Sequence, residues 1–563
     1  MYSRAIFPIL GMVGMVSVPV QAYETAEQPT AVASIPNPCR FQEIDVEKWG
    51  GADFQNPPEV MSQNGVLEMD LRVEYGTATI AGCPVNLRQY NPIKGGPIVG
   101  PTLRLKPGDT MKIRLVNTLD DITEPGSDMH DQPGIFNVTN LHTHGLHVSP
   151  SGISDNVLLK VMPQSEQDYV IEVPENHPPG TYWYHAHVHG STAIQVSSGM
   201  AGALIIDGGL DNVPAIAAAD EKIFVLQQIA YGTTGDLESY DAFGPDEWSN
   251  SKRHVTINGA IMPVIKMRPG EVQRWRLVHG GVRETIQFSL EGHELSEIAT
   301  DGIATGRMDI WGVGQPLDLN PGYRSDVLVK AKPLLPGQTE AVYYVLDNTV
   351  EAERSLQFVL PTARTLLGAT RAAPEILKPE RILAKVIVSG DPKVMPLPTS
   401  AELAPYLPFE PITDDELDGE PQLVSFSIER MNCSEWPAKP CTPCSDGTGL
   451  CATRFMVNNR PFSKEFTRKL KLGTASEWTL ETAKTSFAPV HPFHIHVNPF
   501  EMQRTGPDGK PQTVWKDTVL VVQGQPLKVR SRYEDYTGKF VLHCHILDHE
   551  DEGMMELVEV VEK

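Results

Sequence analysis

Ten of the chain's 17 histidines fall into four short clusters: His142-Thr-His144, His185-Ala-His187, His491-Pro-Phe-His494-Ile-His496, and His543-Cys-His545 with His549. In an extended strand, residues i and i+2 point to the same face, roughly 6–7 Å apart, so each His-x-His presents two imidazoles to neighbouring metal ions. One such pair arises readily by accident. Four, two near each end of the chain on matching segments, do not. Imidazole alone suits zinc, copper, iron or nickel. The last cluster separates them. Cys544, His549 and Met554, with His491 from another strand, supply two imidazoles, a thiolate and a weak axial thioether, the donor set of a blue-copper electron-transfer site. Zinc seldom recruits a thioether, so copper is the expected metal.

Strand alternation adds a route. Cys544 faces one side while His543 and His545 face the other, so an electron arriving at the metal held by Cys544 can pass through the backbone to metals held by both neighbours. Eight histidines remain for those metals: His142, His144, His185, His187, His494, His496, His543 and His545. That complement suits three coppers, at which dioxygen could take four electrons.

In type and order the clusters resemble those of the multicopper oxidases, the family of laccases, bilirubin oxidases, ferroxidases and cuprous oxidases. The likeness runs through nearly all of the mature chain and implies three cupredoxin-like domains and four copper ions. On that resemblance, type 1 copper takes His491, Cys544, His549 and axial Met554, and type 2 copper takes His142 and His494. One type 3 copper takes His144, His185 and His545; the other takes His187, His496 and His543. The middle domain, without a cluster, is expected to act as a spacer and to shape the substrate face. Asp155 and Glu550 match acids that family members place near the trinuclear centre, where they would relay protons for oxygen reduction. Thr143 stands where many members have Trp, which alters packing and not ligation. Ala186 occupies the place matching Cys544, so the first domain has no type 1 site, unlike the nitrite reductases. His147 and His189 lie outside the family pattern and are expected to support the ligands or face solvent.

The elements that must position these residues read as strands. Short alternating runs such as Met111–Val116, Val272–Leu277 and Phe540–Leu542 are bounded by Gly, Pro, Asn or Asp. The 46 Gly and 47 Pro favour many turns over long helices. A repeat is also visible: Leu103-Arg-Leu-Lys-Pro-Gly-Asp matches Ile265-Lys-Met-Arg-Pro-Gly-Glu, with a weaker copy from Leu470 to Leu480, each reading strand, tight turn, strand. A second repeat pairs Gly180–His187 with Gly538–His545. The expected fold is all-β, with three Greek-key β-sandwich domains at 40–210, 215–375 and 422–563. A Pro-rich linker is expected over 376–421, its acidic run Asp414–Asp418 forming a solvated loop.

Residues 1–22 read as a signal peptide, with Arg4, an apolar stretch Ala5–Val20 and small Ala22 at the cleavage point. The protein is therefore expected to be exported, periplasmic or secreted, with no membrane span. Seven cysteines in an oxidising compartment leave at least one unpaired. Cys433, Cys441, Cys444 and Cys451 resemble a stapled insertion, with a zinc knuckle as the rival reading. Cys39 and Cys83 stand apart from them, and Cys544 looks like a ligand. Asn137-Val-Thr139 and Asn432-Cys-Ser434 are glycosylation sequons if the host modifies them. A formal net charge of −24 argues against nucleic acid as a partner. The expected activity is oxidation of a small reducing substrate by dioxygen, on phenols or aromatic amines as in laccases. The alternative is a metallo-oxidase acting on Cu(I) or Fe(II), against which the 18 scattered Met weigh, since cuprous oxidases often carry a Met-rich insert. A copper-sequestering protein without turnover is the remaining reading.

Overall fold

The computed structural model describes Lys48 and residues 50–562, apart from 92–95, 122–134, 233, 244–247, 249–254, 350–381, 434–440 and 444–448. Within them, strands build six sheets, which face one another in pairs around three separate cores. In the first sandwich a five-stranded sheet holding His142–His144, Gly180–His185 and Ala201–Ile206 faces a four-stranded one. The third sets a five-stranded sheet with Val490–Ile495 and Gly538–Cys544 against a seven-stranded one.

The Pro-Gly repeat shows how one sequence pattern makes the same corner more than once. Its strands are Thr102–Leu105 and Thr110–Asn117, Val264–Met267 and Val272–His279, then Thr467–Lys471 and Thr474–Thr482. In every copy the first strand belongs to one sheet and the second to the facing sheet. The turn therefore carries the chain across the sandwich instead of forming a hairpin. Alternation orients the second strand: Met111, Ile113 and Leu115 are buried while Lys112 and Arg114 are exposed. Each such aliphatic contributes about 1.5–3 kcal/mol on full burial, so a one-residue slip would be strongly disfavoured. The first strands pair in parallel with Ala201–Ile206, Ile382–Ser389 and Met555–Val561 respectively.

That pairing corrects the expected linker. Ile382–Ser389 is a full member of the second sandwich, parallel to Val264–Met267 and antiparallel to Glu340–Asp347. Its alternating Ala384, Val386 and Val388 lie in the second core with Leu383, and the prolines that suggested a linker flank the strand without interrupting it. The acidic run that follows is tied down: Arg530 donates to Asp414, and Arg532 to Glu416, at 2.6 and 2.8 Å. Cys433 is joined to Cys441, and Cys83 and Cys451 are also disulfide-bonded, so the zinc-knuckle reading falls. The signal peptide, Cys39 and Cys444 lie outside the described residues. The Asn137 sequon is closed, because Asn137 is buried with Oδ1 accepting from Arg88 and Nδ2 donating to Asp120 O.

Smaller apolar clusters join the sandwiches: Trp183 and Ala203 with Ile223 and Val278, Val157 with Phe462 and Val541, and Ile303 with Trp515. No helix among the described residues is long and apolar enough to cross a membrane.

Candidate metal centre

Two strand pairs present the histidines in matching register. In the first sandwich His142 lies opposite His185. In the third, His494 lies opposite His543, and Phe493 opposite Cys544. The two edges meet. His142 stacks on His496 and His144 on His494, each with ring centroids 3.8 Å apart. His187 and His543 bring their Nε2 atoms to 3.1 Å across 356 residues of chain. Three triads of ring nitrogens each fall within 4.8 Å: His142, His144 and His494; His144, His185 and His545; His187, His496 and His543. All eight rings are buried.

The outward nitrogen of most of these rings is already engaged, and that fixes which nitrogen carries a lone pair. Nδ1 of His142 is 3.1 Å from both oxygens of Asp155. Nδ1 of His185 donates to Ala186 O at 2.9 Å, that of His494 to Asp517 O at 2.8 Å, and that of His543 to Cys544 O at 3.0 Å. His144 is reversed, with Nε2 3.1 Å from Asp517 Oδ1. The opposite atoms, His142 Nε2, His144 Nδ1, His185 Nε2 and His494 Nε2, are buried without a hydrogen-bond partner, as are both ring nitrogens of His545. An unsatisfied buried polar group costs about 1–3 kcal/mol, so a cluster of convergent orphans is a fit for cations and for little else. Burial, then the neighbouring rings, pushes these histidines far toward the neutral, ligating form, His185 to about 3.

A fourth triad stands in the third sandwich alone. Cys544 Sγ lies 3.5 Å from His491 Nδ1 and 3.8 Å from His549 Nδ1. Cys544 and Met554 are both fully buried in one core cluster, and Cys544 N–H donates to Met554 O at 3.0 Å. Burial pushes the Cys544 thiol well up, so a thiolate persists there only beside a cation. Cys544 is the single free cysteine among the described residues.

Both predicted acids reach the histidines. Asp155 also accepts from Thr143 N–H at 2.9 Å, and burial lifts its carboxyl to about 7. Glu550, fully buried, has its oxygens 3.5 Å from His187 Nδ1 and 3.5 Å from His543 Nδ1, and accepts from Thr192 Oγ1. Burial and then Asp551 raise it well above the usual carboxylate range. His147 is occupied elsewhere, by Val497 O and Asp535 at 2.9 Å each. His189 packs at a tilt against Phe462, ring centroids 4.7 Å apart, and approaches Glu550 and Asp551. Sequence reasoning missed Asp517, Arg324 and Asp551. Asp551 accepts three backbone N–H groups from Gly190, Thr192 and Ala193 and so docks the first sandwich's helix Thr192–Ser198 beside Glu550.

Profiles described as multicopper oxidase match residues 134–210, 231–367 and 437–563. A multicopper oxidase of Staphylococcus haemolyticus is 24% identical over 83% of this chain and 83% of its own length. A laccase of Bacillus subtilis is 21% identical over 85% and 91%. Among solved structures, a multicopper oxidase from Campylobacter jejuni, titled a metallo-oxidase, superposes with a TM-score of 0.65 at 21% identity, covering 93% of this chain and 98% of that one. A laccase from Pediococcus acidilactici gives 0.65 at 21% over 91% and 94%. With three profile matches in chain order, and with the histidine clusters of the first and third falling on one trinuclear-sized site beside a thiolate site, the chain belongs to the multicopper oxidases: it is a copper-dependent oxidoreductase with four coppers, one type 1, one type 2 and two type 3, and dioxygen as electron acceptor.

Proposed function

We propose that the chain is a laccase-like oxidase in which the type 1 copper is held by His491, Cys544, His549 and axial Met554. The type 2 copper is held by His142 and His494, and the type 3 pair by His144, His185 and His545 and by His187, His496 and His543. The observation that carries this reading is the convergence of unpartnered ring nitrogens from two sandwiches beside the buried Cys544. Copper, when bound, supplies one-electron exchange and the centre at which dioxygen is reduced to water. The chain's own residues do the rest. Cys544, bonded on either side to His543 and His545, links the thiolate covalently to both type 3 ligand sets. Asp155 at His142, and Glu550 between His187 and His543, hold protons in a water-poor site and deliver them as oxygen is reduced. The structural support is their burial and the upward push on both carboxyls.

The proposed donors are phenols and aromatic amines. Phe487, four residues before His491, leaves 66% of its surface exposed and offers an aromatic donor an apolar contact. The second reading, a metallo-oxidase acting on Cu(I) or Fe(II), draws on the likeness to the Campylobacter jejuni enzyme. Steady-state oxygen uptake by the copper-loaded protein with phenol, Fe(II) and Cu(I) side by side decides between them. Greater efficiency with phenol supports the first, and turnover of the metal ions alone replaces it with the second. The proposed domains are a first sandwich over 40–210, a copper-free second from 215 whose sheet includes Ile382–Ser389, and a third over 422–563. Residues 1–22 direct export to the periplasm or medium, which the N-terminal mass of the secreted protein tests.

A further inference from the structure

Arg324 opens the strand Arg324–Lys330 of the second sandwich, and its side chain is completely buried. A buried guanidinium needs a counter-charge and partners for its five N–H groups. It has both. Nη1 donates to Asp517 Oδ1 at 2.8 Å and Nη2 to Asp517 Oδ2, while Gly322 O, Asp301 O and Thr181 O accept the remaining protons. The fork therefore touches all three sandwiches: Thr181 in the first, Asp301 and Gly322 in the second, Asp517 in the third. Asp301 adds a second carboxylate beside the fork: its Oδ1 accepts the Arg324 backbone N–H at 3.0 Å and lies 3.9 Å from Nη1, while Lys516 pairs with its Oδ2 at 3.0 Å.

Asp517 passes the constraint on. Its Oδ1 accepts Nε2–H of His144, and its backbone carbonyl accepts Nδ1–H of His494. Thr518 Oγ1 donates to the same carboxylate at 2.7 Å. Gly145, directly after His144, makes the room: a Cβ there would stand 2.7 Å from Asp517 Oδ2 and against the Arg324 guanidinium. His144 and His494 come from different sandwiches, yet one residue orients both.

We propose that Arg324 is a positioning residue for the trinuclear centre: by clamping Asp517 it sets the tautomer of His144 and the spacing of His144 from His494. The second sandwich, which supplies no copper ligand, thereby holds the corner shared by the type 2 and type 3 coppers. This rests on the ligand assignment proposed above. A carboxylate that cannot turn without leaving Arg324 buried and unpaired is a rigid support, and rigid partners of ligating histidines govern metal affinity.

The test compares copper-loaded Arg324→Met, Arg324→Lys and Asp517→Asn with the wild type. Copper content and the EPR signature of type 2 copper are the readouts, with type 1 absorption as internal reference. Arg324→Met and Asp517→Asn should keep type 1 copper, lose or spectrally shift type 2 copper, and reduce dioxygen roughly tenfold or more slowly. Arg324→Lys should recover part of the type 2 signal. Full copper content with an unshifted type 2 spectrum in Arg324→Met overturns the proposal. If that variant does not fold, the same result in the near-isosteric Asp517→Asn overturns it. His494→Ala, run in parallel, separates the two levels. Should it retain type 2 copper, the ligand assignment has failed; should it lose that copper while Asp517→Asn stays native, only the role of Arg324 has failed.

Discussion

Cys544 and Met554 have separable jobs, and single substitutions distinguish them. Cys544→Ser keeps the shape of a fully buried side chain but removes the thiolate. The protein should fold, lose its blue absorption, and oxidise donors at roughly a hundredth of the native rate or less. A blue Ser variant would refute the type 1 assignment. Met554→Leu nearly conserves volume in the third core, so its packing cost should stay under about 1.5 kcal/mol. Loss of the thioether removes electron density that favours the oxidised metal, so the type 1 potential should rise while the protein stays blue. Redox titration reads this directly, and an unchanged potential in a fully loaded variant would exclude Met554 as axial ligand. Asp155→Asn retains an acceptor for Thr143 N–H but cannot deliver a proton. Asp155→Asn and Glu550→Gln should therefore slow reoxidation by dioxygen by about a hundredfold, with anaerobic reduction of type 1 copper unaffected. Stopped-flow measurement of the two half-reactions separates them. Slower reduction with normal reoxidation would move these acids to the donor side.

Elements matter through register and through what stands directly behind a ligand. Gly322, at φ +86°, lies against the His545 ring, and a Cβ would come within 2.9 Å of it. Gly322→Ala should strain the backbone and displace that imidazole, so trinuclear copper should fall while type 1 copper is retained. Metal analysis with absorption spectroscopy would show it; four coppers per chain would refute it. The strands behind the ligands were legible in the sequence where their signals are local. Thr102–Leu105 and Thr110–Asn117 announce themselves by alternation around Lys-Pro-Gly-Asp, and His-x-His spacing translates directly into one face of a strand. Ile382–Ser389 was not legible, because its partner Val264–Met267 is about 120 residues away in parallel and prolines surround it. Asp517 and Arg324 carried no spacing signal at all: one acid among 71 acidic residues, and one base in a domain without a copper motif, acquire meaning only when three sandwiches meet.

At the scale of the whole molecule, burial makes folding sensitive to acid. Thirteen buried histidines have their affinity for protons pushed down, those of both candidate metal sites together with His177, His279 and His293. Five buried carboxyls, Asp155, Asp301, Asp548, Glu550 and Asp551, are pushed the other way. Below about pH 6.5 the unfolded chain gains a proton at each histidine that the folded chain does not, and stability is lost as pH falls. Between about pH 4 and 7 the raised carboxyls oppose this, since the folded chain keeps protons that the unfolded chain has released. Thirteen outweigh five. The copper-free protein should melt at progressively lower temperature from pH 7 to pH 5, each histidine adding up to about 1.4 kcal/mol per pH unit. Calorimetry at three pH values checks the slope, and a flat or inverted dependence would show that the carboxyls dominate. His187 and His543 meet across 356 residues, so the proposed trinuclear ligands come half from each end of the described chain. Copper held there would work as a clasp on a very long loop, removing from the open chain the freedom of everything between. During synthesis the clasp has nothing to close on until the last strands have emerged. Capture of the full copper complement would thus check completeness: a chain cut short before His543 lacks two of the eight clustered histidines, His543 and His545, and could not fill the centre that reduces dioxygen.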